Sequence, residues 1–163
     1  MRIGIDIGGV IIAQDTDEPD LFFSDDFLRA KPFPNCFETI KILIEKFGSE
    51  NVFIISKCGE KVQRKSREWL EYNQFFLMTG FVPEHIHFCL ERYEKAGIAQ
   101  TLHLTHLIDD RYTVLKHLLS LKQVERLILF SPNETEQGLS RSNPSNKILQ
   151  VSSWDEVGKI LEL

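Results

Sequence analysis

The sequence predicts a single-domain α/β fold, Rossmann-like and doubly wound around a mostly parallel sheet. Three observations predict it. Short apolar runs alternate with segments of helical period along the chain. Gly, Pro, Asn, Asp and Ser bound the runs, as they bound strands. Asp6, Ser56 and Asp109-Asp110 stand at the ends of three of those runs. Alternating strands and helices imply parallel crossovers, and in such sheets ligands sit outside the carboxyl ends of the strands.

The elements follow in order. Residues 2–7 read as a buried strand that breaks at Gly8 and Gly9, where the backbone can turn tightly or approach a ligand. Residues 10–34 form a long connection with six acids (Asp15, Asp17, Glu18, Asp20, Asp25, Asp26) and no base before Arg29. A connection of that length inside a compact domain reads as a lid or binding loop. Val10–Ile12 and Leu21–Phe23 are expected to pair as a small hairpin. Asn35, with Glu38 three residues on, reads as the capping box of a helix that Gly48 stops. Phe37, Ile40, Leu43, Ile44 and Phe47 share one face of it.

Val52–Ile55 is a second strand, ending at Ser56. A charged helix follows, with Val62, Ser66, Trp69 and Leu70 inward. Phe75-Phe76-Leu77-Met78 reads as core packing. Residues 86–90 make a third strand, and a short helix through Leu102 carries Lys95 near its start. His106–Ile108 is a fourth strand, ending at Asp109-Asp110, and Val114, Leu115, Leu118 and Leu119 mark the next helix. Arg126–Phe130 is a fifth strand. Residues 131–146 read as a polar loop, Ile148–Val151 as a sixth strand, and Ser153 with Glu156 as the cap of a helix to Leu163.

The formal charge of −5 and the lack of a basic face argue against a nucleic-acid binder. No apolar run reaches membrane-spanning length and no cleavable leader is seen, so a cytoplasmic compartment is expected. Cys36, Cys58 and Cys89 are odd in number and widely spaced, which indicates reduced thiols rather than a disulfide framework or zinc site. His85 with His87, and His103 with His106, lack a supporting ligand at a recognised spacing and read as surface or core histidines.

The strand-end rule brings Asp6, Ser56, Asp109 and Asp110 to one edge of the sheet, within reach of Lys95. Converging carboxylates are costly unless a cation compensates them, and an all-oxygen donor set suits Mg²⁺. A carboxylate nucleophile, a hydroxyl, a lysine and a Mg²⁺ site fit phosphoryl transfer through an aspartyl phosphate.

At these residues the chain resembles the haloacid dehalogenase superfamily of phosphohydrolases. That family's motifs appear in order as Asp6-Ile7-Gly8-Gly9-Val10, Val52-Phe53-Ile54-Ile55-Ser56, Glu94-Lys95-Ala96 and Leu107-Ile108-Asp109-Asp110-Arg111. The resemblance implies Asp6 as nucleophile and Mg²⁺ ligand. It implies the Gly8 carbonyl and Asp109 as further ligands, with Asp110 as ligand or outer partner. Gly9, Ser56 and Lys95 would hold the phosphoryl group, and residues 10–34 would be the helical turn and flap of a small-cap member. The implied partner is a small phosphorylated molecule or a phosphoprotein. The sequence does not set the oligomeric state.

One position departs from the pattern. Gly8 stands where phosphatases of this family carry a second aspartate as general acid. The expected consequence is a phosphatase slow on alkyl phosphates and adequate on aryl or acyl phosphates. The alternative is a catalytically impaired member kept for phosphate, metal or partner binding. Asp15, Asp17 or a histidine are the candidates to replace the acid. Dehalogenases and phosphonate hydrolases of the superfamily also lack that aspartate, but rely on cap residues absent here. Gly4-Ile5-Asp6-Ile7-Gly8-Gly9-Val10 also resembles the opening of the hexokinase-like sugar kinases. Those need two similar domains and a second phosphate motif, which a chain of 163 residues does not supply.

Overall fold

A computed structural model describes residues 1–163. Six strands form one parallel sheet: β1 (Ile3–Ile5), β2 (Val52–Lys57), β3 (Ile86–Cys89), β4 (His106–Asp109), β5 (Arg126–Phe130) and β6 (Ile148–Val151). Their order is β3-β2-β1-β4-β5-β6, and every pair is parallel, so "mostly parallel" becomes entirely parallel. The chain builds outward from β1 to β3, then returns to place β4 on the other side of β1. That reversal opens a crevice between β1 and β4 at their carboxyl ends.

Seven helices cover the sheet: α1 (Cys36–Phe47), α2 (Glu60–Tyr72), α3 (Phe75–Thr79), α4 (Glu94–Thr101), α5 (Tyr112–Leu115), α6 (Glu134–Ser142) and α7 (Trp154–Ile160). Alternation along the strands divides the core. Ile54, Ile108, Ile128 and Phe130 face a cluster with Ile40, Leu43, Trp69, Phe75 and Trp154, from α1, α2, α3 and α7. Their neighbours Phe53, Ile55, Leu107, Leu127 and Leu129 face a second cluster with Ala99, Val114 and Leu115, from α4 and α5. Strands buried on both faces are continuous apolar runs for this reason. Burying one such side chain contributes roughly 1.5–3 kcal/mol.

The long connection after β1 differs from its expected form. Ile7 O accepts bonds from the N–H groups of Val10, Ile11 and Ile12, which winds one helical turn. Ile12 then pairs antiparallel with Pro32, and Ala13 N donates to Lys31 O. The expected 10–12/21–23 hairpin is absent. Leu21–Phe23 and Phe27–Arg29 are short 3₁₀ turns instead, and the arms close at their base on residues 31–33. Leu21 and Phe27 turn inward to the core.

Four smaller expectations also change. Asn35 does not cap α1. It sits at φ 60°, which asparagine tolerates, and its side-chain amide donates to Asp155 of α7 at 3.0 Å. The segment 131–146 is not all loop: Asn133 accepts from Glu136 N at 2.9 Å and starts α6. Phe75-Phe76-Leu77-Met78 divides, with Phe75 buried but Leu77 83% and Met78 48% exposed. Ser153 caps α7 as expected, but α7 ends at Ile160, since Glu162 takes φ 55°. Gly48 stops α1 at φ 89°, as expected. All three cysteines are unpaired, and no helix is long and apolar enough to cross a membrane.

Candidate active site

The crevice is built from strand ends. Asp6 follows β1 directly, and its backbone N–H donates to Ile108 O at 3.0 Å, so the β1–β4 ladder sets Asp6 beside Asp109. Asp109 is the last residue of β4, and Asp110 follows it. One oxygen from each of Asp6, Asp109 and Asp110 lies within 4.8 Å of the others. Lys95, from the first turn of α4, reaches between two of them: its Nζ lies 2.7 Å from Asp109 Oδ2 and 3.1 Å from Asp6 Oδ1. Lys95 and Asp109 are fully buried.

Three carboxylates against one ammonium leave net negative charge in a poorly solvated place. Burial pushes Asp109 up to about 6, against the pull of Lys95. Burial, with the neighbouring Asp109 and Asp6, pushes Asp110 up to about 8. Burial alone would lower Lys95, yet Asp109 and Asp6 together raise it, so it stays charged. A hard divalent cation relieves this imbalance, and clustered carboxylate oxygens are its preferred donors. The donor set therefore fits Mg²⁺.

Above the cluster is a cavity of about 210 Å³. Asp6, Gly8, Gly9, Ser56 and Asp110 line its floor, with Lys57, Cys58 and Arg111 at the side. Lys95 and Asp109 lie beneath that floor rather than on it. Gly9 has φ 75°, and a Cβ there would come within 2.6 Å of Asp110 Oδ2. A side chain at 9 would thus displace a carboxylate of the cluster. Gly8 is different: a Cβ there meets nothing within 4 Å. The place of the missing acid is open space.

None of the expected substitutes fills it. Asp15 lines the cavity, but accepts from Asp17 N at 2.8 Å and Glu18 N at 2.9 Å. Those bonds hold it below the usual carboxylate range, the wrong direction for a proton donor. Asp17 is not in the lining. The histidines lie elsewhere: His85 and His87 pack on Phe53, and His106 bonds Thr105 at 2.8 Å.

Several residues of the site carry no sequence motif. Arg111 N donates to Asp109 Oδ1 at 3.0 Å and so orients it. Buried Glu136 of α6 accepts from Thr113 N and Thr113 Oγ1, both at 2.9 Å, and pairs with Arg111 at 3.8 Å. The one available signal was the Asn133-x-x-Glu136 cap pattern, which announces the helix but not the contact. Residues 13–30, in the connection after β1, supply much of the rest of the lining. Buried Lys65 of α2 donates to Phe23 O at 2.8 Å and Ser24 O at 2.5 Å, and Trp69 Nε1 donates to Ala30 O at 2.8 Å. On the opposite side, Trp154 Nε1 of α7 donates to Val10 O at 2.9 Å. The turn and flap are tied down through their carbonyls, which otherwise lack partners.

No protein-family model matches the chain, and no curated protein matches it in sequence. Among solved structures it is similar to the D,D-heptose 1,7-bisphosphate phosphatase from B. bronchiseptica, determined with magnesium and phosphate. The identity is 13%, the TM-score 0.63, and the match covers 99% of this chain and 98% of that one. A de novo designed Rossmann 3x3 protein (14% identity, TM-score 0.48, 99% and 93% covered) and the HAD domain of the effector Lem4 from Legionella pneumophila (12%, 0.46, 98% and 92%) are more distant. The chain thus shares the fold of the heptose bisphosphate phosphatase over nearly its whole length, and its carboxylate cluster stands at that fold's crevice between β1 and β4.

Proposed function

We propose that this chain is a Mg²⁺-dependent phosphohydrolase of the haloacid dehalogenase type, acting through an aspartyl phosphate at Asp6 and restricted in substrate by Gly8. The observation that carries the reading is the buried Lys95 held between Asp6 and Asp109 below an accessible floor of Asp6, Ser56 and Asp110. The shared fold with a phosphatase determined with magnesium and phosphate supports it. The residues 10–34 serve as the flap, and the chain works as one domain in the cytoplasm on a small phosphorylated molecule or a phosphoprotein.

Asp6 is the nucleophile in this reading; Lys95 pairs with its carboxylate, and the β1–β4 ladder holds its backbone. Lys95 lies beneath the cavity floor, so its charge acts on the phosphoryl group through the Asp6 and Asp109 carboxylates that it holds. Ser56 and the backbone at Gly9 face the same group. Asp6, Asp109, Asp110 and the Gly8 carbonyl would hold Mg²⁺, which supplies charge neutralisation to the phosphoryl oxygens. At position 8 no side chain protonates the leaving oxygen. General acid catalysis is typically worth about 10²–10⁴-fold, so alkyl phosphates are slow substrates.

The open space at Gly8 also favours a second reading, a catalytically impaired protein that binds phosphate, metal or a partner. Beryllium fluoride with Mg²⁺ separates the two, read by ¹⁹F NMR. A bound fluoride signal that disappears in Asp6→Asn, together with turnover of acetyl phosphate, supports the enzyme. Mg²⁺ stabilisation without capture or turnover across a phosphate panel supports the binding protein.

A further inference from the structure

The geometry points to aryl phosphate monoesters as the substrate class, with the ring of the leaving group seated against the inner face of the flap. The inference rests on the phosphohydrolase reading and goes beyond it, because the leaving group is read from the cavity wall. The floor of the cavity is polar, but Ile12, Leu21, Phe22, Ala30 and Val62 add apolar surface to its lining. Ile12, Leu21 and Ala30 are buried core residues with one side on the cavity. The Phe22 ring is set edge-to-face against Phe27 at 6.2 Å and Phe23 at 5.9 Å, so it offers a fixed face. The wall does not depend on substrate to form, since Lys65 and Trp69 already hold the flap carbonyls.

Size agrees. A dry cavity of about 150 Å³ accepts benzene, and this one measures about 210 Å³. It therefore takes one ring with its phosphoryl group on the floor. The chemistry agrees independently. A phenolate is the conjugate base of an acid of pKa about 10, whereas an alkoxide resembles hydroxide, whose acid has a pKa near 15.7. The phenolate departs without the proton that position 8 does not provide. In the step, an Asp6 oxygen forms a bond to phosphorus, and the phosphorus–oxygen bond to the ring breaks. The electron pair leaves on the phenolate, which takes a proton from solvent. Water then cleaves the acyl phosphate, returning the Asp6 carboxylate and one inorganic phosphate.

The test is steady-state kinetics with Mg²⁺ on phenyl phosphate, a phosphotyrosyl peptide, glycerol phosphate and acetyl phosphate, in the full chain and in Phe22→Ala. Phenyl phosphate is expected to exceed glycerol phosphate at least 100-fold in kcat/KM. Phe22→Ala is expected to lower the phenyl-to-acetyl ratio of kcat/KM about tenfold. A peptide faster than phenyl phosphate assigns the ester to a protein side chain, and a slower one assigns it to a free metabolite; both keep the ring in the cavity. Turnover of acetyl phosphate with phenyl phosphate no better than glycerol phosphate, or an unmoved ratio in Phe22→Ala, overturns the aryl assignment while leaving the phosphohydrolase. Loss of both acetyl phosphate turnover and beryllium fluoride capture overturns the phosphohydrolase reading itself.

Discussion

Replacing Lys95 with methionine removes the one cation that lies between Asp6 and Asp109 and keeps most of the side-chain volume. In the native protein Nζ lies 2.7 Å from Asp109 and 3.1 Å from Asp6, and the Lys95 side chain is 1% exposed. Methionine leaves a fully buried Asp109 facing Asp6 without a counter-charge. Removing one partner of a buried ion pair costs about 3–5 kcal/mol. For a domain of this length that lowers Tm by roughly 6–20 °C. The cost depends on protonation. Asp109 is already pushed up to about 6 with Lys95 present, and losing the cation raises it further. At pH 5 the variant escapes most of the penalty by binding a proton; at pH 8 it does not. Mg²⁺ offers a second escape by neutralising the same carboxylates. Thermal unfolding of wild type and Lys95→Met, in EDTA and in excess Mg²⁺, at pH 5 and pH 8, measures all three effects. The expected order puts the largest loss in EDTA at pH 8. A loss below about 1 kcal/mol there would mean that the ammonium is not compensating buried charge, and the electrostatic account of the site fails.

Further outcomes follow from the same geometry. Gly8→Asp enters open space, so it is expected to raise glycerol phosphate hydrolysis by about 10²-fold, the low end for a general acid, and phenyl phosphate hydrolysis by less than about tenfold; equal gains on both substrates contradict the missing-acid argument. Wild type in EDTA loses stability as pH rises, because Asp109 at about 6 and Asp110 at about 8 bind protons more tightly folded than unfolded. Their contribution is complete below the ordinary carboxylate range and is lost as pH rises from about 4, through about 6 for Asp109 and on through about 8 for Asp110. The Tm gain from Mg²⁺ is therefore larger at pH 8 than at pH 5, and an equal gain at both sinks the assignment of the cation to these carboxylates. Lys65→Met removes the donor to Phe23 O and Ser24 O. It is expected to increase hydrogen exchange in residues 20–30 while leaving β1 and β4 protected, and unchanged exchange would show that the flap holds without it.

The legible part of this protein was local. Ile3–Ile5, Val52–Ile55, Leu107-Ile108 and Leu127–Phe130 lie in strands buried on both faces, and that condition writes itself as an uninterrupted apolar run. Asp6, Ser56, Asp109 and Asp110 are legible because a polar residue at the end of such a run stands at the sheet edge. Capping chemistry was legible where the cap is side chain to backbone, as at Ser153, and misleading at Asn35, whose backbone is left-handed at φ 60° and whose side-chain amide donates to Asp155 instead. The helix α6 was hidden because its exposed face is made of the Ser, Asn and Glu that also make loops.

Asp6 belongs to both kinds of information. Its type, its place after a buried strand and the glycines that follow it were determined by the sequence alone, because they are properties of neighbouring residues. Its setting was decided only by tertiary structure. The β3-β2-β1-β4-β5-β6 order places Asp6 beside Asp109, α4 brings Lys95 between them, and the flap sets Leu21 and Phe22 opposite. Those contacts join residues up to about a hundred positions apart. Their energies come from burial, charge compensation and close packing, which act through distance in space and leave no period along the chain.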